Sequence, residues 1–170
     1  MAYVITKGIA GCQPIATTST VKNHPFGKIV TAVDPTYGEG EFIYLLGVAN
    51  TVVGSVVTYK ASTGVTVLST TSGVVNGGAP LAVAMSANVA SQYGWYQIAG
   101  DAVIKKTAVK VDPAGTTKVY LSATSGRVMQ TSVSGRQVIG ARWIATATVT
   151  STTSTAIATL NRPIQQGQIT

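Results

Sequence analysis

The feature that most constrains this chain is a rhythm of short runs rich in Val, Ile, Thr, Tyr and Trp, broken by Gly, Pro, Ser or Asn. Ile29 to Val33, Glu41 to Val48, Ser55 to Lys60, Val65 to Ser69, Trp95 to Ala99, Ala102 to Lys106, Lys118 to Ser122, Arg127 to Thr131, Gln137 to Thr148 and Thr155 to Leu160 share this character. β-branched and aromatic side chains suit a pleated, half-buried surface, and the breakers supply turns. No run carries an apolar stripe at i, i+3, i+4 and i+7 over the length a helix needs. Pro80 to Gln92 alone leaves room for one short helix or helical turn beside a strand. The expectation is an all-β fold, a small antiparallel β-barrel or sandwich with an extended N-terminal arm.

Two segments repeat one grammar. VVTYKASTGVTVLS and KVYLSATSGRVMQT each read as a strand, a polar turn ending in Gly, and a second strand. YGWYQIAGDAVIKK offers a third hairpin, with Gly100-Asp101 at its turn. Residues 1–24 lack strong periodicity and read as an arm, residues 25–162 as the β-rich body, and residues 163–170 as a polar tail.

Charge is scarce. Charged residues make up 10% of the 170, where globular chains usually carry roughly 25%. Solubility then rests on Thr, Ser, Asn, Gln and Gly, or much of the surface is covered by partners. No window approaches the roughly 18 apolar residues of a spanning helix, so no membrane segment is expected. The first residues lack a basic start followed by an apolar core, so no secretory leader is expected. The single cysteine, Cys12, has no internal disulfide partner, which suits assembly in a reducing cytoplasm. The net charge of +7 is uneven, with no acid before Asp34 and none after Asp112. Such asymmetry fits either a polyanion or an acidic protein surface as partner.

A search for catalytic chemistry is mostly negative. The one histidine, His24, stands ten residues from the nearest acid, Asp34, and reads as a junction between arm and body. One His and one Cys fall short of a zinc site. GEG and NGGAP lack the Lys and helix start of a phosphate cradle. No enzyme activity, metal or cofactor is expected. The only basic doublet is Lys105-Lys106, and Trp95 and Tyr96 are adjacent in a strand, so their rings face opposite ways. Direct contact with nucleic acid is therefore not expected, since phosphate backbones favour clustered cations and stacking rings.

DPTYGEGEFIYLL concentrates three of the five acids: Asp34, Glu39 and Glu41. Asp-Pro followed by Gly forms a turn by itself. Glu39 and Glu41, two apart in extended chain, point the same way. A calcium site would accept such acids, yet the spacing is not that of the twelve-residue loop. The window reads as a turn and acidic lip, either solvated or meeting a partner.

GKIVTAVDPTYGEGEFIYLLGVANTVVGSVVTY, YGWYQIAGDAVIKKTA, VYLSATSGRV, RQVIGARWIATAT and IATLNRP, in that order over about residues 27–163, resemble head decoration (cement) proteins of tailed bacteriophages. The resemblance implies a non-enzymatic β protein, commonly trimeric, on the outer surface of the virion capsid, assembled in the bacterial cytoplasm. Its partners would be the major capsid protein and further copies of itself. It also implies an attachment arm, for which Tyr3, Ile5, Lys7, Ile9, Ile15 and Lys22 are the candidate contacts. Phe42, Tyr44, Trp95 and Trp143 are candidate core or inter-subunit anchors, since large aromatics dominate both settings. Another virion β domain, of tail, baseplate or fibre, or a receptor- or glycan-binding module, is the alternative.

Overall fold

The computed structural model describes residues 2–7, 11–70, 77–112 and 114–167. Eleven strands follow in order: β1 (Val4–Lys7), β2 (Ile29–Asp34), β3 (Gly38–Leu46), β4 (Val56–Tyr59), β5 (Thr66–Leu68), β6 (Leu81–Ala84), β7 (Tyr93–Lys105), β8 (Lys118–Leu121), β9 (Val128–Met129), β10 (Gln137–Trp143) and β11 (Thr155–Gln165). They form one antiparallel sheet along the path β1-β2-β3-β7-β11-β10-β8-β9, with β6 branching from β7 and β4 joining β6 to β5. The sheet stays open and sandwich-like rather than closing into a barrel.

β7 is the spine. Its first half pairs with β3, from Leu46↔Tyr93 to Glu41↔Ala99. Its second half pairs with β11, from Asn161↔Ala99 to Thr155↔Lys105. Tyr96 and Gln97 also pair with β6, on the edge away from β3. Both faces of its first half are buried, from Gly94 to Ile98. Trp95 packs with Phe42, Tyr44, Val30 and Ile15 on one side. Tyr96 packs with Ile43, Leu45, Val57 and Ala84 on the other. Adjacent residues facing opposite ways is the period of two made visible, and here the chain itself covers both rings.

β4 and β6 act as a wall between two cores. Val57, Ala82 and Ala84 face the Tyr96 cluster. Val56, Leu81 and Val83 face a larger aliphatic cluster with Ile104, Val119, Leu121, Val138, Trp143 and Leu160. Burying the large residues of each cluster contributes about 1.5–3 kcal/mol apiece.

The two expected hairpins form as β4–β5 and β8–β9. Gly64 and Gly126 take φ of 70° at their turns, and a Cβ on Gly64 would collide with the Phe26 ring. The third expected hairpin does not form, because β7 runs straight through Gly100-Asp101. Gly100 has φ 91°, and a Cβ there would strike the carbonyl oxygen of Glu39. The register with β3 shifts beside it. This glycine accommodates a bulge and a close backbone approach instead of a turn.

Pro80 to Gln92 supplies β6 and then bends, and no helix exists among the described residues. Asn88 fills the bend, fully buried against Gly47 and Gly94. The run expected from Gln137 to Thr148 stops at Trp143, and the one from Arg127 to Thr131 shrinks to Val128–Met129. β11 instead runs on through Pro163 to Gln165, past the boundary expected at residue 162. Pro163 sits where the β10–β11 register shifts, a place that needs no ladder donor.

Candidate docking surface

Residues 11–24 cross one face of the β3–β7 pair and are fixed there by a buried polar knot. The Trp95 indole Nε1 donates to the Gln13 carbonyl oxygen at 2.8 Å. The Gln13 backbone N–H donates to His24 Nε2 at 3.1 Å. The Gln13 side chain accepts from Asn23 Nδ2 at 3.0 Å and donates to the Thr17 carbonyl at 2.8 Å. His24 lies between the Tyr44 and Trp95 rings, at 5.0 and 5.4 Å. Burial, then the nearby Lys28 ammonium, pushes its imidazole below the ordinary range. His24 is thus the junction between arm and body, held as an acceptor with no carboxylate bonded to it. Gln13, the centre of the knot, carries no signal in the sequence.

The candidate arm contacts divide between inside and outside. Ile15 is only 2% exposed, a core residue of the Trp95 cluster. Tyr3 and Ile5 pack on the same cluster. The Tyr3 ring meets Phe42 edge-on at 4.8 Å, and its hydroxyl donates to the Asp101 carbonyl at 3.0 Å. Burial pushes that phenol up to about 12, so it stays a donor. Lys7 is exposed at the end of β1, and Lys22 lies over the Phe26 ring at 4.8 Å. Ile9 falls outside the described residues. Phe42, Tyr44, Trp95 and Trp143 are all buried in the chain's own core.

The three acids of the lip take three different roles. Asp34 is buried and caps the β2–β3 turn, its Oδ1 accepting from Thr36 N at 2.8 Å and Tyr37 N at 3.2 Å. Its Oδ2 accepts from Ala2 N, which ties the arm to the same turn. Burial alone would raise this carboxyl, but the three backbone donors outweigh it and hold the carboxyl below its usual value. Glu41 forms an ion pair with Arg162 at 2.7 Å. Glu39 is exposed and has neither ion pair nor hydrogen bond among the described residues.

The Glu41–Arg162 pair explains three of the motifs at once. Arg162 has φ 44°, an uncommon value for a side-chain-bearing residue, within the bulge of β11. Opposite it stands Gly140, φ 80°, where a Cβ would lie 2.6 Å from the Asn161 carbonyl oxygen. GEGEF, IGAR and LNRP, far apart in the chain, therefore meet: the glycine permits the bulge, and the bulge carries the arginine to the glutamate.

The Lys105-Lys106 doublet is no basic patch. Lys106 is completely buried, and its Nζ donates to the carbonyls of Thr107, Val109 and Thr150 at 3.3, 2.8 and 2.8 Å. Burial pushes this ammonium down. It pins the 107–111 loop to the 146–153 loop that follows β10.

The outer face of the β1–β2 edge is apolar. Val4 and Val33 are cross-strand neighbours, 68% and 38% exposed, and Glu39 is the next residue in that row. Ile29 adds to the same face of β2. Among the described residues, no three of His, Cys, Asp and Glu group as a metal site. No helix is long and apolar enough to cross a membrane among the described residues. No protein-family model, curated protein or solved structure matches the chain.

Proposed function

We propose that this chain is a structural decoration protein of a tailed-phage head, binding the outside of the capsid as a homotrimer and bridging major capsid protein subunits. The observation that carries the reading is the exposure of Val4, Val33 and Ile29 on the outer face of the β1–β2 edge, beside the acidic lip, in a chain with 10% charged residues. A contiguous apolar patch on an edge strand is a liability unless a partner covers it. The ordered motifs that resemble those of decoration proteins support the same reading, since three of them meet at the Glu41–Arg162 pair. Both tryptophans are buried, so neither serves as a platform for sugars, which speaks against the glycan-binding alternative.

In this reading Tyr3, Ile5 and Ile15 serve the chain's own body, while Val4, Lys7 and Lys22 face the partner. Several modest contacts per subunit, multiplied by the oligomer, would give tight attachment through effective concentration. The test is rebinding of purified protein to mature capsids stripped of their decoration. Saturable binding at a fixed ratio to the capsid protein is expected. Val4→Asp with Val33→Asp should weaken it by about tenfold or more while far-ultraviolet dichroism stays unchanged. A wild-type chain that leaves stripped capsids unoccupied overturns the reading.

A further inference from the structure

All twelve Lys and Arg and all five Asp and Glu of the chain lie within the described residues, and their partners among those residues can be followed one by one. Asp34 is engaged by backbone N–H groups, Glu41 by Arg162, Asp112 by Lys110, and Asp101 by the Thr159 hydroxyl at 2.7 Å. Among the described residues that leaves Glu39 as the one acidic side chain without a hydrogen-bond or ion-pair partner, at the exposed start of β3 next to the turn.

The opposite imbalance exists at the other end of the sheet. Arg142 of β10 stands directly across from Lys118 of β8. Both are exposed, and neither has an ion pair among the described residues. Like charges directly opposite one another on a sheet are destabilising. No other register pair sets two cations together. The next residue along the row is Thr159, followed by Asp101, whose carboxylate that threonine already holds. Among the described residues no carboxylate pairs with either cation.

Glu39 of the same copy does not reach either one. β7 and β11 lie between β3 and the Arg142 strand β10, and β10 lies between those and β8, separations of roughly 14 Å to Arg142 and 19 Å to Lys118 at the usual strand spacing. We propose that the Glu39 carboxylate of one copy docks between Lys118 and Arg142 of a second copy. The patches differ, so the contact is heterologous and joins copies head to tail, which closes a ring when the rotation allows. The exposed Val4 and Val33 stand in the Glu39 row and would be drawn into the same interface. This rests on the self-association part of the function proposed above and names the groups that would make it.

Charge exchange tests the contact. Sedimentation velocity at low and high salt would compare wild type, Glu39→Lys, the pair Lys118→Glu with Arg142→Glu, and the triple variant. Each reversal alone should weaken self-association by about tenfold or more, the triple variant should recover most of it, and salt should weaken the wild-type contact. Unchanged association in the single-end variants, or failure of the triple variant to recover, overturns the contact, as does a wild-type chain that stays monomeric at high concentration. Rebinding to stripped capsids, measured in parallel, separates the two ideas: a monomer that still decorates capsids discards this contact and the homotrimer, and keeps the capsid-binding role.

Discussion

The two halves of β7 are enclosed by different means. Around its C-terminal half, aliphatic side chains from β4, β6, β8, β10 and β11 close on one another, and hydrogen-bonded strands supply the walls. Over one face of its N-terminal half lies a segment, residues 11–24, that reaches the sheet through a single bridge, Ser19↔Tyr93. Side chains do the rest: the indole of Trp95, the imidazole of His24 and both ends of Gln13. A wall of strands loses little when one group changes. A cover held by a few buried hydrogen bonds depends on each of them, because an unmade bond leaves its partner desolvated and unpaired.

The largest effect is expected where the C-terminal half breaks its own pattern. Lys106 is its one buried charge, and three carbonyls depend on it. Lys106→Met keeps the length and apolar stem but strands those acceptors, so chemical denaturation should show a loss of about 3 kcal/mol. The loss removes the desolvation cost of the ammonium at the same time, which keeps it below the sum of three lost bonds. Amide exchange should rise in residues 107–111 and 146–153 first. A variant as stable as wild type would show that the lysine is tolerated rather than needed.

That exception also shows what was legible in the sequence. Alternating Val, Ile and Thr placed most strands, because period-two burial is a local property. The turn at Asp34 and the hairpins at Gly64 and Gly126 were legible for the same reason. Gly100 was not, because a glycine in a bulge and a glycine in a turn look alike until the neighbouring strand is known. Lys106 beside Lys105 read as a surface doublet, since nothing local announces three distant carbonyls. Gln13 was silent, and Glu41 reached outward for a partner that its own chain provides as Arg162. Each of these depends on which strands become neighbours, which is information spread over the whole chain.

The two tryptophans sharpen the comparison. Each is buried, one in each half, but only Trp95 uses its indole N–H; Trp143 Nε1 has no hydrogen-bond partner among the described residues. Substitution by Phe removes similar volume at both sites. Trp95→Phe also leaves the Gln13 carbonyl unpaired and should cost about 2 kcal/mol, against about 1 kcal/mol for Trp143→Phe. Urea midpoints of the two variants measure the difference directly. Equal losses would mean that the knot over the N-terminal half adds nothing beyond packing.

The smallest expected effect is a dependence on pH confined to one half. His24 accepts the Gln13 N–H through Nε2, and protonation would set two donors face to face. Burial, then Lys28, holds its imidazole below the ordinary value of 6.5. The unfolded chain therefore binds a proton that the folded chain resists, so this contribution is fully present above about pH 6.5 and declines as the pH falls below it. The Asp34 contribution survives to lower pH, because its carboxyl is held below 3.8 and is lost only as the pH falls through that depressed value. Two tryptophans give two indole N–H resonances, one reporter in each half. Between pH 7 and 5 the Trp95 signal should shift and exchange faster with solvent, because its acceptor Gln13 is the residue that His24 holds, while the Trp143 signal stays in place. His24→Gln should flatten the Trp95 response over that range. Parallel movement of both signals, or a response that persists in His24→Gln, would show that the two halves loosen together and that the knot is not the weaker closure.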